Sequence, residues 1–456
     1  MVRVLFIAPI MALAAIPIYF FLQGPPPLPD LPLDEWWGPP ETKGKASETI
    51  KPFKIKFKED VSMIQDLKQR IKITRSLPAP LEGVNHEYGF NSNQVQDWLK
   101  YWSNEYDFVE RQKFFNQYEH YKTNIQGLNI HFISVRPEVP ANVELVPVLM
   151  LHGWPGSVRE FYEAIPLLTA YKEGQDFALE LIIPSLPGYG FSDHAVRPGL
   201  GAAEMAVVFR NLMHRLGFQK FYVQGGDWGA LIGSDLVTLF PDDVLGFHTN
   251  SAAVFTAKAS LLHLLGAAYP SLIVDEKLAD RMYPLGKFFS FILQETGYMH
   301  IQASKPDTVG VAVSDSPAGI LAYVLEKFST WTDKNQKPLT QLFTKEQLID
   351  NIMCYWSTNS MTTAMRLYSE SFNKKQLGYK LMDIPTPVPT WVAQAKYELG
   401  YQPPFMLRMK FSNLVNVTVL ETGGHFLALE MPKEFSEDVV RAVTEFRKLK
   451  KTKTEL

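Results

Sequence analysis

A chain of 456 residues, 46% apolar and 20% charged, is long enough for one large domain with insertions or two ordinary ones, and too apolar for disorder. Its formal net charge of −3 offers no basic face for nucleic acid. A single cysteine, Cys354, excludes an internal disulfide framework and any multi-cysteine metal site.

Met1 to Leu22 is apolar apart from Arg3. It has about the length needed to cross a ~30 Å hydrocarbon core and reads as a membrane anchor (residues 1–22). A cleaved signal peptide is the rival, disfavoured by Pro9, Pro17 and the bulky or proline residues beyond Leu22. Residues 23–50 form a stiff, proline-rich linker. Its Trp36-Trp37 pair suits either a membrane interface or packing on the domain surface. Residues 51–123 are polar, aromatic and helix-like, without catalytic signals, and form an N-terminal wrapping segment.

Strand texture begins at Asn124. Leu128–Val135 alternates, Val146–Leu151 is a continuous apolar run ending in His152-Gly153-Trp154-Pro155-Gly156, and Glu180–Pro184 is another. A helical period follows from Ala202 to Leu216, then the strand Phe221–Val223. Strands alternating with helices imply a mostly parallel sheet covered on both faces, with 124–250 as its first part. Residues 251–385, rich in Leu, Phe, Tyr and Met, form a helical cap inserted over the strand ends. The sheet resumes in 386–456 with Val388–Ala393 and Asn416–Leu420, before a last amphipathic helix from about Lys433 to Leu449.

After the strand Phe221–Val223 comes Gly225-Gly226-Asp227-Trp228-Gly229, followed by a helical run. Strand, tight turn with small residues two before and two after one polar residue, then helix, is the nucleophile elbow of an α/β-hydrolase. Ser is the usual occupant; here it is Asp227. A carboxylate needs no base to activate it and can displace a leaving group at an sp³ carbon, leaving an ester that water must cleave. Cleavage needs a general base, and His425, in Gly423-Gly424-His425 after the last strand, is placed for it. Glu398 and Asp383 flank the strand Pro389–Ala393 as orienting carboxylates, and Glu398, on the side where the elbow opens, is preferred. The backbone N–H groups of Trp228 and of Trp154 are the expected oxyanion donors, Gly153 and Gly156 permitting the tight backbone.

HGWPG at 152–156, GGDWG at 225–229 and GGHF at 423–426 together closely resemble the epoxide hydrolases of the α/β-hydrolase fold. Asn124–Leu128 and Glu295–Gln302 resemble the microsomal branch, which includes the insect juvenile hormone epoxide hydrolases. The resemblance covers essentially the whole chain. It implies that Tyr298 and Tyr368 act on the epoxide oxygen, supports Glu398 as the acid, and implies hydrolysis without cofactor or metal. Lipophilic epoxides, juvenile hormone first among them, and water are the implied substrates. It further implies an endoplasmic reticulum membrane enzyme with a single N-terminal anchor and a cytosolic catalytic domain, although Arg3 and the absence of Lys or Arg from Gln23 to Thr42 would by charge place that domain in the lumen. Two other readings share these residues. A haloalkane dehalogenase also uses an elbow Asp but needs halide donors in place of the tyrosine pair, and a catalytically dead relative would bind a lipid or hormone without turning it over.

Overall fold

The computed structural model describes residues 24–333 and 338–454, so the anchor assigned to residues 1–22 lies outside the described residues. Among the described residues no single helix is long and apolar enough to cross a membrane.

Nine strands form one sheet: β1 (Lys51–Phe53), β2 (Glu119–Ile125), β3 (Leu128–Val135), β4 (Glu144–Leu151), β5 (Phe177–Pro184), β6 (Phe221–Gly225), β7 (Val244–Thr249), β8 (Thr390–Gln394) and β9 (Leu414–Val419). Their order is β1-β2-β3-β5-β4-β6-β7-β8-β9. The strands from β5 through β9 pair in parallel, and β1, β2 and β3 add an antiparallel flank. Every residue of β5 and β6 is buried, as expected of strands covered on both faces. The helices Trp228–Leu239 and Pro432–Thr454 pack on central strands of this sheet, and Ala202–Arg215 packs against Trp228–Leu239 and β2. This is the mostly parallel sheet with flanking helices expected of the α/β-hydrolase fold.

The region 51–123, read as helix-like, also contributes β1 and most of β2. β2 escapes a periodicity reading because its inward residues are largely polar: His120 and Thr123 are buried beside Ile125. His120 Nδ1 lies 2.9 Å from His131 Nε2, whose Nδ1 lies 2.9 Å from Ser185 Oγ, so a buried polar chain replaces apolar alternation. The β2–β3 hairpin turns at Gln126-Gly127, both at positive φ (50° and 89°), a geometry suited to the twist of the flanking strands. Trp37 is 1% exposed and its N–H donates to Gln126 O, while the Trp36 ring lies against Gly127. The tryptophan pair therefore packs on the domain.

Between β7 and β8 the described chain runs through helices and short 3-10 turns. Helix Ser92–Asn104 of the N-terminal segment braces two of them, Pro317–Thr330 and Lys345–Trp356. Trp102 Nε1 donates to Met353 Sδ at 3.3 Å, and Tyr106 Oη donates to Asp350 Oδ1 at 2.8 Å. Asp350, fully buried, also accepts from Arg111 and from Arg159. One carboxylate thus joins the N-terminal segment, the loop after β4 and the inserted helices.

Candidate active site

β6 ends at Gly225, and the helix Trp228–Leu239 starts one residue after Asp227. Asp227 adopts φ 50°, ψ −125°, a strained conformation that costs about 1–3 kcal/mol and persists only where the surroundings enforce it. The enforcement is steric. A Cβ on Gly225 would strike the Gly229 backbone, one on Gly229 would strike Leu151, and one on Gly226 would strike the Asn250 amide. The N-terminus of the following helix favours negative charge at this point.

The glycines after β4 act differently from the expectation. Neither Gly153 nor Gly156 has positive φ. Each makes room for a carboxylate: a Cβ on Gly153 would meet Asp227, and one on Gly156 would coincide with Glu160. The loop lets the Trp154 N–H donate to Asp227 Oδ1 at 2.8 Å. His152 fixes the loop base, with Nδ1 3.0 Å from Gly153 O and Nε2 accepting from Leu186 N at 3.1 Å. Burial lowers its pKa to about 4, so it is a neutral structural residue. Trp228 is the first residue of its helix, where a backbone N–H has no intrahelical partner.

His425 lies beyond β9. Tyr397 and Gly424 extend the β8–β9 pairing by a parallel bridge, with Tyr397 N–H donating to Gly423 O at 2.9 Å. That register sets Glu398 beside His425: Glu398 Oε1 is 2.7 Å from His425 Nδ1, and His425 Nε2 is 3.2 Å from Asp227 Oδ2. Glu398 Oε1 also accepts from Leu399 N at 2.8 Å, and the His425 N–H donates to Trp331 O at 2.7 Å. Asp383, the other carboxylate considered, lies in the turn Leu381–Asp383 before β8. Burial opposes a charge on His425, but Glu398 and Asp227 outweigh it and raise its pKa well above the ordinary histidine value.

The two tyrosines converge from separate helices, Gly297–Ser304 and Met361–Ser371. Tyr298 stacks on Trp154 with ring centroids 4.9 Å apart, and Tyr368 meets Trp228 edge-on at 4.7 Å. Their own rings are 5.8 Å apart. The Tyr368 hydroxyl is buried with no hydrogen-bond partner among the described residues. Burial, reinforced by the Asp227 charge, raises both phenols above the ordinary tyrosine value, so they stay protonated. Six residues singled out in the sequence, Trp154, Trp228, Tyr298, Tyr368, Glu398 and His425, thus gather around Asp227, and Asp383 does not. Among the described residues no group of three or more His, Cys, Asp or Glu could hold a metal ion.

The sequence reading missed the clamp on the oxyanion loop. Helix Lys345–Trp356 holds that loop through Asn351 Nδ2, which donates to Pro155 O at 2.7 Å, and through Tyr355, whose hydroxyl donates to Gly156 O. Ser157 Oγ donates to Asn351 Oδ1 at 2.7 Å. The available signal was Asp350-Asn351 within an otherwise apolar helical run.

Residues 50–161 match the family model for the epoxide hydrolase N terminus, and 146–432 the model for the alpha/beta hydrolase fold. The chain is 60% identical over 463 aligned residues to juvenile hormone epoxide hydrolase from Bombyx mori, covering 100% of both chains. The chain belongs to the epoxide hydrolases. This epoxide hydrolase is also 43% identical to juvenile hormone epoxide hydrolase 2 of Ctenocephalides felis, over 97% of this chain and 95% of the relative. The crystal structure of the Bombyx mori juvenile hormone epoxide hydrolase superposes with a TM-score of 0.90, covering 92% of this epoxide hydrolase and 100% of that chain.

Proposed function

We propose that this epoxide hydrolase works through a covalent ester on Asp227. The observation that carries the reading is the position of Asp227, whose carboxylate meets the Trp154 N–H on one oxygen and His425 on the other, with two phenols close by, Tyr368 buried and Tyr298 half-buried. Oδ1 is tied to the Trp154 N–H, so Oδ2 attacks an epoxide carbon. The carbon–oxygen bond of the ring breaks as the oxygen takes a proton from Tyr298 or Tyr368, giving a hydroxy-ester. The leaving alkoxide is strongly basic, so a phenol with a raised pKa is still an adequate acid for it.

Esterification removes the Asp227 charge, which was one of the two carboxylates holding a proton on His425. With burial then opposed mainly by Glu398, the imidazolium yields its proton, which restores the phenol that protonated the epoxide oxygen, and the neutral imidazole becomes a base. It takes a proton from water as the water oxygen attacks Cγ of Asp227. Oδ1 becomes the oxyanion, held by the Trp154 N–H and, on this reading, the Trp228 N–H. Collapse expels the diol oxygen, which takes the proton from His425; the Asp227 carboxyl then passes the second proton of the water to His425, restoring the carboxylate and the imidazolium.

The substrates are lipophilic epoxides, and the names of the relatives favour a juvenile hormone. The Met1–Leu22 segment anchors the enzyme in the endoplasmic reticulum membrane with the catalytic domain in the cytosol. His425→Gln tests the chemistry: exposed to substrate, this variant should gain the mass of one whole epoxide on the peptide carrying Asp227. An unmodified protein would overturn the assignment of His425 as the base for the second step. Removal of Met1–Leu22 should free the enzyme from membranes with its turnover intact; continued sedimentation with membranes would point to another attachment.

A further inference from the structure

Beside Asp227 and His425 lies a cavity of about 10 Å³, near the volume that one water molecule needs. Its polar lining outside the residues already discussed comes from Glu160 and Asn250. Glu160 follows the oxyanion loop in the 3-10 turn Val158–Phe161, and its carboxylate fills the space that a side chain at 156 would take. Asn250 follows β7, and its Oδ1 accepts from Gln224 Nε2 at 2.9 Å, so its Nδ2 is the group left to donate into the cavity.

We infer that Glu160 and Asn250 position the water that cleaves the Asp227 ester, an assignment that rests on the covalent mechanism proposed above. A water attacking Cγ has two protons and two lone pairs to place. One proton goes to His425 Nε2 and the other to the Glu160 carboxylate. One lone pair attacks while the second accepts from Asn250 Nδ2. Three hydrogen bonds then leave a single orientation, with the reactive lone pair aimed at the ester carbon.

The electrostatics suit this timing. Glu160 keeps some exposed surface, yet burial pushes its carboxyl up to about 8; His425 opposes the rise and the Asp227 charge adds to it. The other titratable group facing it is Tyr355, which stays protonated. Esterification removes the Asp227 charge, but the imidazolium that favours ionised Glu160 is lost with it, so Glu160 ionises as His425 takes the proton of the attacking water. An ionised Glu160 then joins Glu398 in favouring the imidazolium formed as His425 takes the proton.

Single-turnover kinetics on the full-length enzyme with a styrene-type epoxide, quenched and read by mass spectrometry, separate the two steps. Glu160→Gln preserves size and should leave ester formation within about threefold of wild type while slowing ester hydrolysis by roughly 10–100-fold, so that the ester accumulates. It should also move the acid limb of hydrolysis to lower pH, because losing a carboxylate beside His425 lowers the imidazole pKa; a role limited to loop support would not move that limb. Unaltered hydrolysis, or both steps slowed equally, would overturn the assignment and leave the covalent mechanism standing. Absence of ester from wild type, from Glu160→Gln and from His425→Gln alike would instead remove the covalent mechanism, and this assignment with it.

Discussion

Two sets of groups converge on Asp227, phenols from the inserted helices and an imidazole from the loop after β9, and the same carboxylate charge acts on both. It favours the protonated form of Tyr298, of Tyr368 and of His425. Burial, however, pushes a phenol and an imidazole in opposite directions: it holds the neutral phenol and disfavours the cationic imidazole. Loss of the Asp227 charge therefore matters little to the tyrosines, which stay neutral acids, but releases the proton from His425. In the covalent mechanism proposed here, one esterification event turns a site built to give a proton into one built to accept it.

The comparison breaks first at Asp227 itself. Asp227→Ala should lower turnover of any epoxide by at least about 10⁴-fold, since no other group can form the ester. Residual turnover above a tenth of wild type would remove the shared charge from the scheme. On the imidazole side, Glu398→Gln should slow ester hydrolysis by roughly 10²–10⁴-fold, because the imidazolium loses its bonded carboxylate and the ring its orientation. Ester formation should persist, and rapid-quench measurements of the two steps would show the split.

On the phenol side, Tyr298→Phe and Tyr368→Phe should each slow ester formation by about 10–1000-fold, as for loss of one oxyanion donor. The double substitution should be far worse than either, and hydrolysis of a preformed ester barely changed. If Tyr368→Phe alkylates like wild type, another residue of the inserted helices fills the second position. The mildest test is pH. Ester hydrolysis should rise by roughly tenfold per pH unit below the His425 pKa of the ester state and then level off, as the neutral imidazole is the active form. Alkylation should show no matching rise through that range, because the phenols stay protonated throughout; parallel profiles for the two steps would erase the distinction between the two sides.

The elbow was legible because its constrained positions are adjacent. Gly225 is demanded by the Gly229 backbone within the turn, and Gly226 and Gly229 by Asn250 just after β7 and Leu151 of β4, but all three fall within five consecutive residues and so leave a motif. His425 was legible for a related reason, a loop position fixed by the end of a strand. Tyr368 was not: among 19 tyrosines nothing in its neighbourhood marks it, and only resemblance to a family singled it out. Asn351, Tyr355 and Trp331 escaped because their contacts span from 94 residues, between Trp331 and His425, to 199, between Tyr355 and Gly156. β1 and β2 escaped because an antiparallel flank with buried histidines carries no apolar alternation.

The convergence of Tyr106, Arg111 and Arg159 on Asp350 sets limits on how this chain can be recombined with its relatives. A crossover between residues 111 and 159, or between 159 and 350, takes the members of that cluster from two parents. Wherever the incoming parent lacks a matching partner, a buried charge is stranded, at a cost of about 3–5 kcal/mol. A library built for new substrates should therefore inherit those four positions as a block and place its joints in exposed loops outside the span from Tyr106 to Asp350, such as the one around Glu82.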